Sequence, residues 1–174
     1  MARQDPPEFA VAPLDDQHDR NSFTCGVDSL DRYFKTQAGQ DMRRKANAVF
    51  VMVGCDDPST VLGYFTLCAT SLEQGAVPET ARKHVPRYPL VSATLLGRLA
   101  VSFGQQGKGL GSVLLGFALH KAFASASSVG SSMVVVDAVD ERAVCFYEAH
   151  GFVRLAGSLR LAIAMQTIAR TLAG

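Results

Sequence analysis

The sequence predicts an α/β fold, a mixed sheet with helices on both faces. Three observations favour it: β-prone and helical segments alternate along the chain, a glycine-rich turn links a strand directly to a long helix, and a second strand and helix follow. The predicted order is β, α, β, β, loop, β, α, β, α, β, β. At 174 residues the chain is expected to form a single domain over residues 1–174, with residues 1–8 as a loose tail.

The central stretch reads as strand, glycine loop and helix. Residues Leu95–Ser102 are apolar and β-prone, and from Leu110 onward apolar residues recur at helical spacing. A strand that turns into a helix in this way points the free N–H groups of the first helical turn at one spot, where the helix dipole favours an anion. Gly107, Gly109 and Gly111 lack a Cβ and let a ligand approach the backbone closely. The loop therefore predicts a phosphate site.

Two common nucleotide motifs do not fit this loop. A P-loop that starts at Gly104 would need Lys and Ser or Thr where Leu110 and Gly111 stand. A dinucleotide fingerprint would need its third glycine where Ser112 or Leu114 stands. Neither an ATP site nor an NAD site is supported.

The segments before the central stretch are predicted from their patterning. A first short strand is expected around Phe9–Ala12, and Asp28 is expected to cap a helix that ends near Arg44 or Lys45. Two strands, Val49–Val53 and Val61–Ala69, then form a hairpin. Residues 71–93 contain three prolines and are expected to be a functional loop with one short helix, Glu79–Lys83.

The segments after the central helix predict a further strand, helix and strand pair. Met133–Val139 is an apolar run suited to a strand buried on both faces. Asp140 is expected to cap a helix that runs through His150 and is ended by Gly151. The last strand pair is expected at Phe152–Leu155 and Leu159–Ile168.

Composition restricts the class of protein. Hydrophobic residues make up 48% and charged residues 19%, a globular balance, and no apolar run is long enough to span a bilayer. The N-terminus has no apolar signal core, so a cytoplasmic protein is expected. The Cys and His residues are scattered, so neither a disulfide framework nor a metal site is indicated. Helix spacing leaves open a nucleophilic pair of Cys145 with His150.

Cations cluster although the net charge is only +1. The clusters are Arg43, Arg44 and Lys45, and Arg82, Lys83, Arg87 and Arg98. Such clusters are either solvated faces or a footprint for a polyanion, and composition alone leaves both open.

Two motifs resemble the GNAT N-acetyltransferase superfamily. Gln106-x-x-Gly109-x-Gly111 is similar to the superfamily's acyl-CoA pyrophosphate loop, and Phe146-Tyr-Glu-Ala-His-Gly-Phe152 is similar to the segment that ends its next helix. The resemblance implies the GNAT fold, with a central mixed, mostly antiparallel, twisted sheet, and acetyl-CoA as co-substrate. It also implies cofactor contacts by the backbone of the strand and loop residues: Leu99, Ala100, Val101, Gln106, Gly107, Lys108, Gly109, Leu110, Gly111 and Ser112.

The resemblance also implies a general acid. Tyr147 stands where many members place the acid, and a phenol of pKa ~10 stays protonated at neutral pH and can donate to the departing thiolate. The alternative is a helix aromatic that only fills the core. For a general base the sequence offers Asp137, Glu148 or water.

A closer resemblance covers most of the chain. Phe23–Phe34, Arg87-Tyr-Pro89 and Leu96–Val101 look like segments of the acetyltransferase toxins of bacterial type II toxin-antitoxin modules. That resemblance implies aminoacyl-tRNA as substrate, a homodimer and a small ribbon-helix-helix antitoxin, with the two cation clusters as candidate tRNA contacts. Two alternatives remain: an acetyltransferase of a small-molecule or protein amine, and a non-catalytic acyl-CoA-binding or interaction module.

Overall fold

The computed structural model describes residues 8–173. Its strands are β1 (Phe9–Pro13), β2 (Ala48–Gly54), β3 (Asp57–Glu73), β4 (Leu90–Val101), β5 (Met133–Asp137), β6 (Val153–Arg154) and β7 (Arg160–Ala164). Its helices are α1 (Asp28–Thr36), α2 (Ala38–Arg43), α3 (Leu110–Ser125), α4 (Glu141–Ala149) and α5 (Met165–Ala173). Short 3-10 turns cover Gln74–Ala76, Glu79–His84 and Phe103–Gln105. The expected loose tail falls, apart from the exposed Glu8, outside the described residues.

The strands form one seven-stranded sheet in the order β1-β2-β3-β4-β5-β7-β6. Strands β4 and β5 run parallel, whereas β1 with β2, β5 with β7, and β6 with β7 run antiparallel. The predicted fold class, a mixed and mostly antiparallel sheet combined with helices, is confirmed. Chain contacts divide the molecule into two compact units, and the expected single domain over residues 1–174 stays a prediction.

Of the described residues, the first unit comprises residues 8–66 together with residues 98–117. Three aromatic rings form the centre of its core: Phe34 stacks on Tyr64 at 4.3 Å between centroids, and Phe23 meets both edge-on. The Tyr64 hydroxyl donates to the Leu30 carbonyl of α1 at 2.7 Å. Packing and one partly buried hydrogen bond therefore fix α1 against strand β3.

The helix predicted from Asp28 differs from the structure in two ways. Asp28 does not cap it: Val27 is the N-cap residue and has no side-chain hydrogen bond. The Asp31 carboxylate instead accepts from the Cys25 N–H and from the Thr24 hydroxyl, which ties down the segment that enters the helix. The single predicted helix is also two helices, separated at Gln37, whose φ of −115° departs from the usual helical value of about −63°.

The second unit comprises residues 67–97 and 118–173. Strand β5 is buried at four of its five positions, as predicted for a strand covered on both faces. The predicted cap of α4 is confirmed because the Asp140 carboxylate accepts from the Ala143 N–H at 2.8 Å. Gly151, with a φ of +92°, follows the end of the helix as predicted.

The prediction that the last strand reaches Ile168 was wrong. Strand β7 ends at Ala164, and α5 begins at Met165. Met165 and Ile168 are buried at the three-residue spacing of one helix face, whereas Leu172 near the end of α5 is exposed. The run Leu-Ala-Ile-Ala-Met is apolar throughout, so the change from strand to helix inside it leaves no break in hydrophobicity to detect.

One buried hydroxyl generates a stability prediction. Among the described residues the Thr66 Oγ1 of β3 is buried and has no hydrogen-bond partner. Because an unpaired buried hydroxyl carries an uncompensated desolvation cost, Thr66→Val should raise the free energy of unfolding by about 1 kcal/mol in chemical denaturation.

Thr60→Val is the matched control, since the Thr60 hydroxyl is paired with Asp57 at 2.6 Å. In this control the free energy of unfolding should fall or stay unchanged. A loss of stability in Thr66→Val would mean that the hydroxyl has a partner in solution and would contradict the prediction.

Candidate active site

The glycine loop lies between β4 and α3, as predicted. Gly107 and Gly109 have φ values of +79° and +78°, which a residue with a Cβ rarely adopts. Among the described residues, the backbone N–H groups of residues 107–111 make no hydrogen bond. Helix α3 starts at Leu110 and has no acidic residue in its first turn. These unpaired donors at a helix start are a site for an anion.

The Gln106 side chain fixes the position of this loop. Its Nε2 donates to the carbonyl oxygen of Cys25 at 2.7 Å and to that of Val101 at 3.1 Å. The backbone adds a parallel link, because the Phe103 N–H donates to the Thr24 carbonyl at 2.8 Å. The loop is therefore joined both to the end of β4 and to the segment that enters α1, and its amides are preorganised before any ligand arrives.

The strand that leads into the loop extends past its parallel partner. The register of β4 with β5 pairs Ala93 through Leu96 with Met133 through Val136, and β4 continues to Val101. Leu99, Ala100 and Val101 thus lie beyond the paired residues. Ala100 is buried and its two neighbours are partly buried. Main-chain groups here are suited to a ligand that lies along the strand as an additional partner.

Tyr147 lies on α4 and is nearly fully buried, at 9% exposure. Its ring meets Phe146 and Phe152 edge-on at centroid distances of 5.2 and 5.4 Å. Burial raises the pKa of the phenol to about 12. Among the described residues its hydroxyl has no hydrogen-bond partner. The phenol is therefore protonated at any physiological pH, and its proton is not engaged within the protein.

The two carboxylates named as candidate bases differ in their surroundings. Both oxygens of Asp137 accept from Arg160, at 2.7 Å from Nε and 2.9 Å from Nη2. This paired geometry engages each oxygen of the carboxylate in one bond to Arg160 and ties Asp137 to a structural partner. Glu148 is exposed on α4 and its carboxylate faces solvent.

The Cys145 and His150 pair finds no support in the geometry. Cys145 is exposed, and the His150 Nδ1 lies 2.7 Å from the carbonyl oxygen of Phe146. Because a carbonyl oxygen only accepts, that ring nitrogen is a donor and is not free to take a proton from the thiol.

The candidate cations occupy three kinds of environment. Arg43, Arg44 and Lys45 are exposed at the end of α2, and Lys83 and Arg87 are exposed in the loop before β4. Arg82, also exposed, donates through Nε to the Val77 carbonyl at 3.2 Å. Arg98 lies flat over the Tyr33 ring, 3.4 Å from its centroid, which gives it a packing role in β4.

Sequence reasoning missed Arg20. It stands in an acidic segment, yet its guanidinium lies beside that of Arg43 over Gly39 of α2. No local pattern connects residue 20 with residue 43, so only the folded chain brings the two together.

Two kinds of feature are absent from residues 8–173. No helix there has the length and apolarity needed to cross a membrane. No group of three or more His, Cys, Asp or Glu side chains is arranged to hold a metal ion within that range.

The acetyltransferase (GNAT) domain model matches residues 49–154, well over half of the chain. The chain belongs to the GNAT acetyltransferase family. It is 34% identical to a tRNA-acetylating toxin of Mycobacterium tuberculosis over 77% of this chain and 78% of that one. It is 29% identical to the probable toxin TacT of Sinorhizobium fredii over the whole length of both chains.

Several solved structures are similar over almost the whole length of this chain. A tyrosine-to-phenylalanine mutant of KacT superposes with a TM-score of 0.86 at 26% identity, covering 95% of this chain and 99% of KacT. AtaT complexed with acetyl-methionyl-tRNAfMet superposes with a TM-score of 0.85 at 28% identity, covering 94% and 99%. AtaTR bound with acetyl-CoA is 28% identical with a TM-score of 0.81, covering 95% and 98%.

The Asp137 geometry generates a kinetic prediction. Because its carboxylate is held by Arg160, Asp137→Asn should leave the pH profile of kcat/KM unchanged and lower the free energy of unfolding by less than about 1 kcal/mol, as for a partly exposed ion pair. The matched control is Glu148→Gln on α4. A general base is worth ~10²- to 10⁴-fold in rate, so a loss of that size in folded Asp137→Asn protein would contradict this assignment.

Proposed function

We propose that this GNAT acetyltransferase is a toxin that transfers acetyl from acetyl-CoA to the α-amine of aminoacyl-tRNA and so blocks translation. The observation that carries the proposal is the likeness over nearly the full chain to toxins of this activity. The 34% identical relative is a tRNA-acetylating toxin, and AtaT has been solved with acetyl-methionyl-tRNAfMet.

The donor-binding step is assigned to the glycine loop and the end of β4. The amides of residues 107–112 take the pyrophosphate of acetyl-CoA, with Lys108 as an exposed cation beside them, and Gln106 holds the loop in place. The main-chain groups of Leu99, Ala100 and Val101 take the pantetheine arm. The unpaired N–H groups and the limited β4–β5 register support this assignment.

Acetyl transfer requires a neutral amine and a leaving group whose developing negative charge is stabilised. The nitrogen lone pair of the amine attacks the thioester carbonyl, the C–N bond forms, the C–S bond breaks and the electron pair leaves on sulfur. Tyr147 supplies the proton or hydrogen bond that stabilises this thiolate. Because its pKa is raised to about 12, well above that of a thiol, full proton transfer in the resting site is uphill, and the main contribution of the phenol is a strong hydrogen bond to the developing charge.

The amine proton can go to water. An ester on the neighbouring carboxyl lowers the basicity of the α-amine, so a substantial fraction of aminoacyl-tRNA is neutral near pH 7. No strong protein base is then required. This chemistry is consistent with the engagement of Asp137 by Arg160.

The proposal includes partners and compartment. The exposed cations of the two clusters contact phosphates of the acceptor tRNA. A small ribbon-helix-helix antitoxin neutralises the protein, which acts as a homodimer in the cytoplasm. AtaT has been solved bound to the C-terminus of its antitoxin AtaR, which supports an antitoxin as partner.

One observation favours a second acceptor class. The net charge of +1 is low for an RNA-binding protein. It fits an acetyltransferase whose acceptor is a small-molecule or protein amine. A comparison of aminoacyl-tRNA, a polyamine and a peptide amine as acceptors separates the two acceptor classes.

The loop assignment predicts loss of donor binding in Gly109→Asp. The new residue adds a carboxylate beside the bound pyrophosphate and a Cβ at a φ of +78°. Calorimetry should show acetyl-CoA affinity reduced by at least about tenfold, since two unfavourable effects of roughly 1 kcal/mol each combine. Gly104→Ala is the matched control, because its Cβ would meet nothing within 4 Å and its φ is not positive. Undiminished binding by Gly109→Asp would refute the loop as the pyrophosphate site.

The acid assignment predicts that Tyr147→Phe keeps fold and acetyl-CoA affinity and loses turnover. Only the hydroxyl is removed, and the ring contacts with Phe146 and Phe152 remain. Thiol release with aminoacyl-tRNA should fall ~10²- to 10⁴-fold. Since the pKa of the phenol is about 12, wild-type activity should show no loss from Tyr147 ionisation below about pH 10.

The same assay is run with a polyamine and with an N-terminal peptide amine as acceptors. The proposal expects the highest kcat/KM with aminoacyl-tRNA. Turnover of the polyamine or the peptide but not of aminoacyl-tRNA would select the second acceptor class, and wild-type turnover by Tyr147→Phe would return Tyr147 to a packing role.

A further inference from the structure

Two arginines converge on one point above α2. A Cβ placed on Gly39 would lie 3.3 Å from Nη1 of Arg20 and 3.4 Å from Nη1 of Arg43. The two guanidinium nitrogens are therefore no further apart than the sum of those distances. Arg20 reaches this position from the loop before α1, where its Nη1 also lies 3.4 Å from the Phe34 carbonyl oxygen. Glycine at position 39 leaves the space between the two groups open.

The charge at this point is not neutralised within the described part of the chain. The ion pairs of Arg154 with Glu141 and of Arg160 with Asp137 lie elsewhere, and no ion pair of Arg20 or Arg43 is found among the described residues. Two like charges at close range repel each other, and the repulsion is relieved only by solvent or by a bound anion. Folding places both groups on the same spot nonetheless.

The two guanidinium groups line a cavity of 410 Å³. Lys45 contributes a third cation to the lining, and its φ of +60° ends α2 at this point. The acidic lining residues are Asp15 and Asp16. The Asp15 Oδ1 accepts the Gln17 N–H at 2.9 Å, which engages one oxygen of this carboxylate in its own loop, while the His18 Nδ1 accepts the Asp15 N–H at 3.0 Å. The cations outnumber the acids, and two of them are guanidinium groups.

We propose that Arg20 and Arg43 form a clamp for one backbone phosphate of the acceptor tRNA, an inference that rests on the proposed function. The planar guanidinium fork matches the oxygens of a phosphate, and two forks facing one point can contact a single phosphate from two sides. The apolar lining consists of Leu14, which is buried, and Met42, which is partly buried. The cavity thus offers charge without an exposed apolar anchor, which favours a nucleic-acid backbone over a protein segment.

The clamp extends the basic cluster at the end of α2 to a residue from another part of the sequence. Its function would be to fix the register of the tRNA on the enzyme without reading a base, because phosphate contacts carry no sequence information.

The test measures kcat/KM for aminoacyl-tRNA over a range of salt concentrations. Arg20→Gln and Arg43→Gln should each lower this value about five- to tenfold near physiological salt and reduce the slope of its logarithm against log salt by roughly 0.7 to 0.9, the effect of one lost phosphate contact. Arg20→Lys keeps the charge and should recover part of the loss. Calorimetric affinity for acetyl-CoA should be unchanged in all variants.

Arg32→Gln is the matched control, an exposed arginine of α1 that does not line the cavity. The double variant Arg20→Gln/Arg43→Gln separates a clamp from two independent charges. If both arginines hold one phosphate, the double variant loses clearly less than the product of the single losses, whereas multiplied losses would overturn the clamp.

Three further outcomes would overturn the clamp. If the Arg20 and Arg43 variants acetylate aminoacyl-tRNA as well as Arg32→Gln does, the clamp is wrong and the proposed function still stands. Variants that lose antitoxin binding but retain tRNA acetylation would assign the cavity to a protein partner. If the wild-type enzyme is inactive on every aminoacyl-tRNA, both the proposed function and the clamp are wrong.

Discussion

The candidate site depends on the hydrogen bonds of one side chain. Gln106 donates its amide to the carbonyl oxygens of Val101 and Cys25, which lie at the end of β4 and in the segment before α1. These bonds hold a loop in which the N–H groups of residues 107–111 make no hydrogen bond within the described part of the chain, and which contains two glycines at positive φ. A loop of this kind would otherwise be mobile, and an anion would have to order it on binding. Gln106 provides that order in advance, so donor binding is spared the entropic cost.

The chemistry sets a second requirement on Tyr147. The burial that raises its pKa to about 12 keeps the phenol protonated and strengthens any hydrogen bond it makes in a water-poor site. The same burial makes it a reluctant proton donor. Stabilisation of the thiolate by hydrogen bonding resolves this conflict, and it fits an acceptor amine that is already partly neutral. A phenol that acts by hydrogen bonding thus suits an acceptor amine that is already partly neutral. Such an amine needs no strong protein base, so the pairing of Asp137 with Arg160 is compatible with the reaction.

Features that depend only on neighbouring residues in the chain were predicted correctly from the sequence. The glycine loop, the start of α3 at Leu110 and the cap at Asp140 each depend on residues within one or two helical turns, and each is found as predicted. The errors arise where tertiary contacts decide. Asp31 replaces Asp28 as the residue that binds the chain entering α1, because the Cys25 N–H folds back to it. Strand β7 becomes α5 inside an unbroken apolar run, and Arg20 meets Arg43 only because the loop before α1 passes over α2.

The central claim is that the acceptor is the amino group at the 3′ end of charged tRNA. The most direct measurement incubates the purified protein with acetyl-CoA and a full set of aminoacyl-tRNAs, and then analyses the nuclease-released 3′ ends by mass spectrometry. The account predicts one or more aminoacyl-adenosines heavier by a single acetyl group. If every aminoacyl end stays unmodified under conditions where the same protein preparation acetylates another amine, the acetyltransferase assignment stands and the tRNA claim is contradicted.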